Sequence, residues 1–214
     1  MTDLRIYVAQ DTLPAAGENT WVAAMGSKRG ELYIADFFLR MVMERRAYQV
    51  RAGTISVPLV GDVVITDTAA EMCADCALGT TIIPVYANIS FNLAAASLFE
   101  TAAKSVATVS SAGTAFTPLP LYSGGAAAGS TARVAATAGT VTVTAELATT
   151  TLRHFSWSQP IAAGAWPTWY DWEPKMPPVL NGPRCFYLQI AGDTTGPSYY
   201  AHFDYIELPT DNVS

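Results

Sequence analysis

The sequence predicts an all-β fold, an antiparallel β-sandwich of jelly-roll type behind a loop-rich N-terminal arm. Three observations carry this expectation. Roughly eight to ten runs alternate or are β-branched, helical periodicity is scarce, and 15 Gly with 13 Pro punctuate the chain at short intervals. A chain of 214 residues can bury one sizeable core. The expected division is an extended arm over 1–30 and a single domain over 31–214.

Taken in order, Asp11-Thr12-Leu13-Pro14-Ala15-Ala16-Gly17 has little periodicity and reads as part of the arm. Glu31 to Arg46 fits a strand followed by a helical turn or a second strand. Tyr48 to Gly53 and the β-branched Val63-Val64-Ile65-Thr66 read as strands. From Val85 the chain alternates, with Val85, Ala87, Ile89 and Phe91 on one face and Tyr86, Asn88 and Ser90 on the other. Pro84 offers no ladder hydrogen bond, so it implies an edge or a bulge near the start of that strand. Ser105–Ser110 and Thr140–Thr144 alternate as strands, on either side of a loop at 122–130 rich in Gly and Ala. His154-Phe155-Ser156-Trp157 is a further strand. Cys185–Ile190 and Tyr199–Leu208, joined by the six residues 192–197, predict a hairpin.

Only 14% of residues are charged and half are hydrophobic, so part of the surface is expected to be covered by partners. A net charge of −6, with 12 cations among 18 anions, argues against nucleic acid as a partner. The cluster of Arg40, Arg45 and Arg46 alternates with Glu44 and apolar residues, the pattern of a solvated face. Met1-Thr2-Asp3-Leu4 lacks the basic start of a signal peptide. No apolar run reaches the roughly 20 residues that span a bilayer. The expectation is a soluble product made in the cytoplasm, with no membrane partner.

The blocks Arg51-Ala52-Gly53-Thr54, Asp67-Thr68-Ala69-Ala70-Glu71 and Leu78-Gly79-Thr80-Thr81-Ile82-Ile83-Pro84 form a pattern completed near the end of the chain. There stand Asn181-Gly182-Pro183-Arg184, Phe186-Tyr187-Leu188-Gln189-Ile190 and Phe203-Asp204-Tyr205-Ile206-Glu207-Leu208-Pro209. Together they resemble jelly-roll virion structural proteins of tailed bacteriophages, over about half the chain. The resemblance implies a capsid decoration (cement) or minor capsid protein on the virion surface. Its implied partners are further copies of itself, with a trimer favoured, and the lattice of the major capsid protein.

Chemistry leaves few marks. There is no Gly-x-Ser-x-Gly elbow, no His-Glu-x-x-His pair and no phosphate loop, so no catalytic residue, cofactor or metal site is expected. Cys73 and Cys76 form half of a zinc knuckle, but Cys185, His154 and His202 lie far along the sequence, so buried free thiols are expected. His154 and His202 read as packed or interfacial side chains. Asp171 and Glu173 stand among Trp166, Trp169 and Trp172, a pattern that suits either sugar binding or, with two carboxylates, glycoside hydrolysis. The rings of Trp166, Trp169, Tyr170 and Trp172 are more simply an oligomer or lattice interface, with Trp169 opposite its two neighbours. Three functions follow: a decoration protein that strengthens a capsid, a glycan- or receptor-binding module on the virion, and the shell-forming protein itself.

Overall fold

The computed structural model describes residues 5–8, 20–23, 37–93, 98–135, 140–160, 168–193 and 195–212. Among these the fold is all-β, built of antiparallel sheets with one short helix, α1 (Phe37–Met43). Of the N-terminal arm, Arg5–Val8 and Thr20–Ala23 pair with each other, and the rest lies outside the described residues. The helical alternative for Glu31 to Arg46 is realised as α1, and 31–36 again lie outside the described residues.

Among the described residues eight strands are five residues or longer, and they are numbered in chain order. They are β1 (Ala47–Ala52), β2 (Met72–Cys76), β3 (Thr80–Leu93), β4 (Leu98–Val106), β5 (Leu152–Pro160), β6 (Thr168–Trp172), β7 (Arg184–Ala191) and β8 (Ser198–Pro209). A seven-stranded sheet holds β1-β8-β3-β6 in that spatial order, and a six-stranded sheet holds β2-β7-β4-β5. Short strands extend both; Leu119–Pro120 borders β1, and Thr131–Val134 borders β2.

Period-two alternation sends one set of side chains from each sheet into a shared core. Val50, Ile89, Phe91, Tyr199, Phe203 and Tyr205 from one sheet meet Met72, Phe99, Phe186, Leu188 and Ile190 from the other. The outer face of the six-stranded sheet is covered as well. There Ala70, Cys73, Val106, Val141, Val143, Cys185 and Tyr187 form a second cluster, closed by a small sheet of Ala69–Ala70, Val141–Thr142 and Ser111–Ala112. Covered on both sides, β7 is buried from Cys185 to Ala191, which accounts for its nearly continuous apolar run.

Pro84 lies in β3, a central strand, and is accommodated by an irregularity. The pairing with β8 skips there, from Tyr86 opposite Asp204 to Pro84 opposite Tyr205. The extra residue reverses the parity of the strand. Ile82 faces the main core before the bulge, and Ala87, Ile89 and Phe91 face it after. Ile83 therefore points to the outer face, where with Ile206 it buries Met41 of α1, and Phe38, Val85 and Leu208 pack around them. The helix thus covers one end of the outer face of the seven-stranded sheet.

Besides Ser105–Ser110, which is strand only as far as Val106, and Thr140–Thr144, of which only Val141–Thr142 is strand, two expected elements differ. Cys185–Ile190 and Tyr199–Leu208 do not form a hairpin, because β7 and β8 belong to different sheets and the chain crosses the core between them. In this arrangement the apolar stripes of Phe186, Leu188, Ile190 and of Tyr199, Ala201, Phe203 lie face to face and bury each other. A hairpin would set them side by side and leave both needing another cover. The second difference is Val63–Thr66, which forms no strand; Val63 and Val64 are exposed. Its backbone is held instead by the Gln189 side chain, whose Nε2 donates to the carbonyls of Thr66 (2.5 Å) and Ala69 (2.7 Å).

Candidate functional site

The aromatic segment sits on β6, an edge strand of the seven-stranded sheet, and its alternation splits it in two. Trp172 and Tyr170 point inward. The Trp172 ring packs against Phe186 (centroids 6.0 Å) and Phe155 (5.4 Å), and Tyr170 stacks on Trp157 (5.1 Å). Trp172 is therefore part of the core of its own chain, and its ring is not free to serve a neighbouring subunit. Trp169 points the other way and is 66% exposed, on the opposite side from Trp172. Trp166 lies outside the described residues.

Directly opposite residues of an antiparallel pair share a face, so the register defines what surrounds Trp169. Trp169 is opposite Ser90 of β3, and Ser90 is opposite Tyr200 of β8. The next row is Asp171, Asn88, His202 and Arg51, and the third is Tyr86, Asp204 and Gln49. With strands about 4.8 Å apart and rows about 6.8 Å apart, this outer face measures roughly 14 Å on a side. It is the end of the sheet that α1 leaves open.

The polar groups of this face are bonded to one another. Tyr86 donates its hydroxyl to Asp171 Oδ1 (2.6 Å), and Asn88 Nδ2 donates to the same oxygen (2.8 Å). Ser90 Oγ donates to Asn88 Oδ1 (3.0 Å), and Gln49 Nε2 donates to Asp204 Oδ1 (2.9 Å). The hydrogen bonds from Asn88 and Tyr86 hold the Asp171 carboxyl below its ordinary range, whereas burial raises that of Asp204. Burial, and then the bond to Asp171, pushes the Tyr86 phenol up to about 12. The His202 ring lies 5.6 Å from that of Tyr86 and so belongs to the open face. His154 is packed instead, 5.5 Å from Phe186, and burial followed by the charge of Arg184 lowers its pKa to about 4. An Asp171 held ionised accepts hydrogen bonds and has no proton to give, so it does not suit the general acid of a glycosidase.

The cysteines are closer together than their sequence positions suggest. Cys185 pairs with Asp75 across β2 and β7, and the ligand atoms of Cys73, Asp75 and Cys185 lie within 4.8 Å of one another. All three cysteines are free and buried. Asp75 is already satisfied: Ser110 donates its backbone N–H (2.7 Å) to one oxygen and its hydroxyl (2.7 Å) to the other, beside Arg133 Nε at 3.5 Å. Cys73 Sγ also touches Ser110 Oγ (3.1 Å), while burial and then the contact with Cys73 raise the Cys185 thiol. These groups satisfy each other as a hydrogen-bonded cluster. Cys76 lies on the opposite, inner face of β2 and takes no part.

Sequence reasoning singled out Trp169 and Asp171 but not Tyr86, Asn88 or Tyr200. The alternation from Val85 put Tyr86, Asn88 and Ser90 on one face; their meeting with β6 and β8 depends on pairings about eighty to a hundred and twenty residues apart. Among the described residues no helix is long and apolar enough to cross a membrane. Comparisons with protein-family models, with curated proteins and with solved structures give no match for this chain.

Proposed function

We propose that this chain is a jelly-roll subunit of a virus particle, one that associates with copies of itself and decorates the capsid. The carrying observation is the order of the eight long strands. Numbered along the chain they run 1-8-3-6 in one sheet and 2-7-4-5 in the other. That is the order produced when a long antiparallel ribbon of four strand pairs is rolled up, so that first and last strands end as neighbours. Jelly rolls of eight strands recur in viral capsid and lectin domains. The resemblance of the end blocks to phage virion proteins points to the first of these.

Association rests on the surface. Ile55, Val57, Val60, Val63 and Val64 are each at least half exposed within ten residues of chain, in a protein with only 14% charged residues. Apolar side chains gathered this way mark a contact surface, and the occupant proposed is a second copy of the chain, in a trimer. Burying these side chains favours the assembled state by mass action. Docking on the major capsid lattice would place the subunit on the virion surface after synthesis in the host cytoplasm.

Light scattering of the purified chain should give a mass well above 22.8 kDa, and Val57→Asp with Val64→Asp should return it towards that value. Mass spectrometry of washed particles should find the chain in fixed proportion to the major capsid protein. A monomer that is also absent from particles would overturn the proposal.

A further inference from the structure

We infer that the open outer face of β6, β3, β8 and β1 is a binding site for an uncharged oligosaccharide, with Trp169 and Tyr200 as its stacking platforms. The inference does not depend on whether the chain rides on a particle.

The first argument is the spacing of the rings. Trp169 and Tyr200 share one row across the sheet, two strands apart and hence about 10 Å between backbones. The residue between them in the row is Ser90, whose side chain is too small to bridge the two rings. Two rings standing on a polar floor suit a ligand that offers apolar faces at intervals and hydroxyls around its edges. A chain of pyranose rings has this character.

The second argument is preorganisation. Asp171 holds Tyr86 and Asn88 through a single oxygen, and among the described residues no donor reaches its Oδ2. Asn88 is fixed in turn by Ser90. Acceptors and donors already locked in place lose little entropy when they meet sugar hydroxyls.

The third argument is charge. Arg51 stands diagonally beside Asp204, at the other end of its row from Asp171, so one fixed cation faces two carboxylates and the face carries little of the chain's net charge of −6. A face of low charge favours a neutral ligand, and it lacks the cations that a phosphate or sulfate chain requires. A protein partner fits less well. Protein interfaces place apolar side chains at the centre and polar ones at the rim. Here the central row is Asp171, Asn88, His202 and Arg51, and the aromatic row lies to one side.

The test is a titration of the full chain with neutral hexasaccharides of glucose, mannose, xylose and N-acetylglucosamine, with a heparin hexasaccharide as a charged comparison. Tryptophan fluorescence and calorimetry are the readouts. Saturable binding of at least one neutral hexasaccharide is expected. Trp169→Ala and Tyr200→Ala should each weaken it about tenfold, the loss of one stacked ring. Met176→Ala, at an exposed site elsewhere, should leave it unchanged. Circular dichroism and oligomeric mass should stay the same in all three variants. The inference is overturned if no neutral probe binds, if only heparin binds, or if the two ring variants bind like the parent. It is also overturned if Trp169→Ala breaks the oligomer while no glycan binds, since the face would then be an interface between copies.

Discussion

Trp169 and Trp172 are three residues apart and face opposite ways, so one substitution in each separates surface from core. Trp172 touches Phe155, Phe186 and His154, and Trp172→Ala should cost about 3–5 kcal/mol in urea unfolding. Trp169→Ala should stay within about 0.5 kcal/mol. Equal losses would mean that Trp169 is packed against something. Glu71 makes a different prediction. It is buried, its Oε2 accepts the Ile190 N–H at 2.7 Å, and burial, with the charge of Asp62 second, pushes its carboxyl from 4.5 up to about 8. The native state therefore keeps a proton that the unfolded chain has released. The associated stability is whole below pH 4.5 and is lost as pH rises through 8. Between pH 6.5 and 7.5 this group alone should remove up to about 1.4 kcal/mol per pH unit. Glu71→Gln should abolish that part of the slope, and a variant with the parent's pH dependence would refute the assignment. Ser110 carries a third expectation. Because Ser110→Ala keeps the backbone N–H bond but removes the hydroxyl that satisfies the other oxygen of buried Asp75, it should cost about 1–3 kcal/mol, whereas a chelator should leave the thermal midpoint where it was.

At the scale of elements, the crossing from β7 to β8 is the most demanding connection. Gly61 N–H donates to Pro197 O (2.9 Å) and Asp62 N–H to Ile190 O (3.0 Å), which pins the 55–64 loop beneath the crossing. A Cβ on Gly196 would overlap the Gly61 carbonyl oxygen, and neither backbone can yield. Gly196→Ala should therefore cost about 1–3 kcal/mol, read by denaturant, while Gly79→Ala meets no neighbouring atom and acts only through its positive φ. This connection also marks where the sequence stops being legible. The residue pattern identified β7 and β8 as strands, because that depends on nearest neighbours. It could not say whether Phe186 and Phe203 lie side by side in one sheet or face to face across two, since the same stripe is buried either way. Val63–Thr66 failed for a related reason: β-branched residues favour extended backbone, but a strand needs a free edge, and Gln189 occupies the backbone acceptors there. The candidate face was half legible. Trp169 and Asp171 are conspicuous in the sequence, while Tyr86 and Asn88 join them only through the β3–β6 pairing.

On the scale of the whole molecule, β8 is the piece on which everything else leans. It pairs with β1 along Ala47–Ala52 and with β3 along nearly its full length. It also gives Tyr199, Phe203 and Tyr205 to the core and Ile206 to the helix cluster. A chain cut before Ser198 should be insoluble or lack a cooperative melt, whereas removal of 1–19 should leave the melt of the remaining domain in place. A folded product from the first truncation would show that the core closes without β8. The place of this strand also sets an order of events during synthesis. On the ribosome, β1 and β3 leave the exit tunnel long before β8, and the slot between them in the sheet stays vacant until β8 has been translated. For that interval the nascent chain carries two open strand edges and an uncovered row of apolar side chains. A cell crowded with identical nascent copies would thus face its greatest risk of clumping before β8 emerges, and fewer copies in synthesis at one time or a holding chaperone should raise the soluble yield.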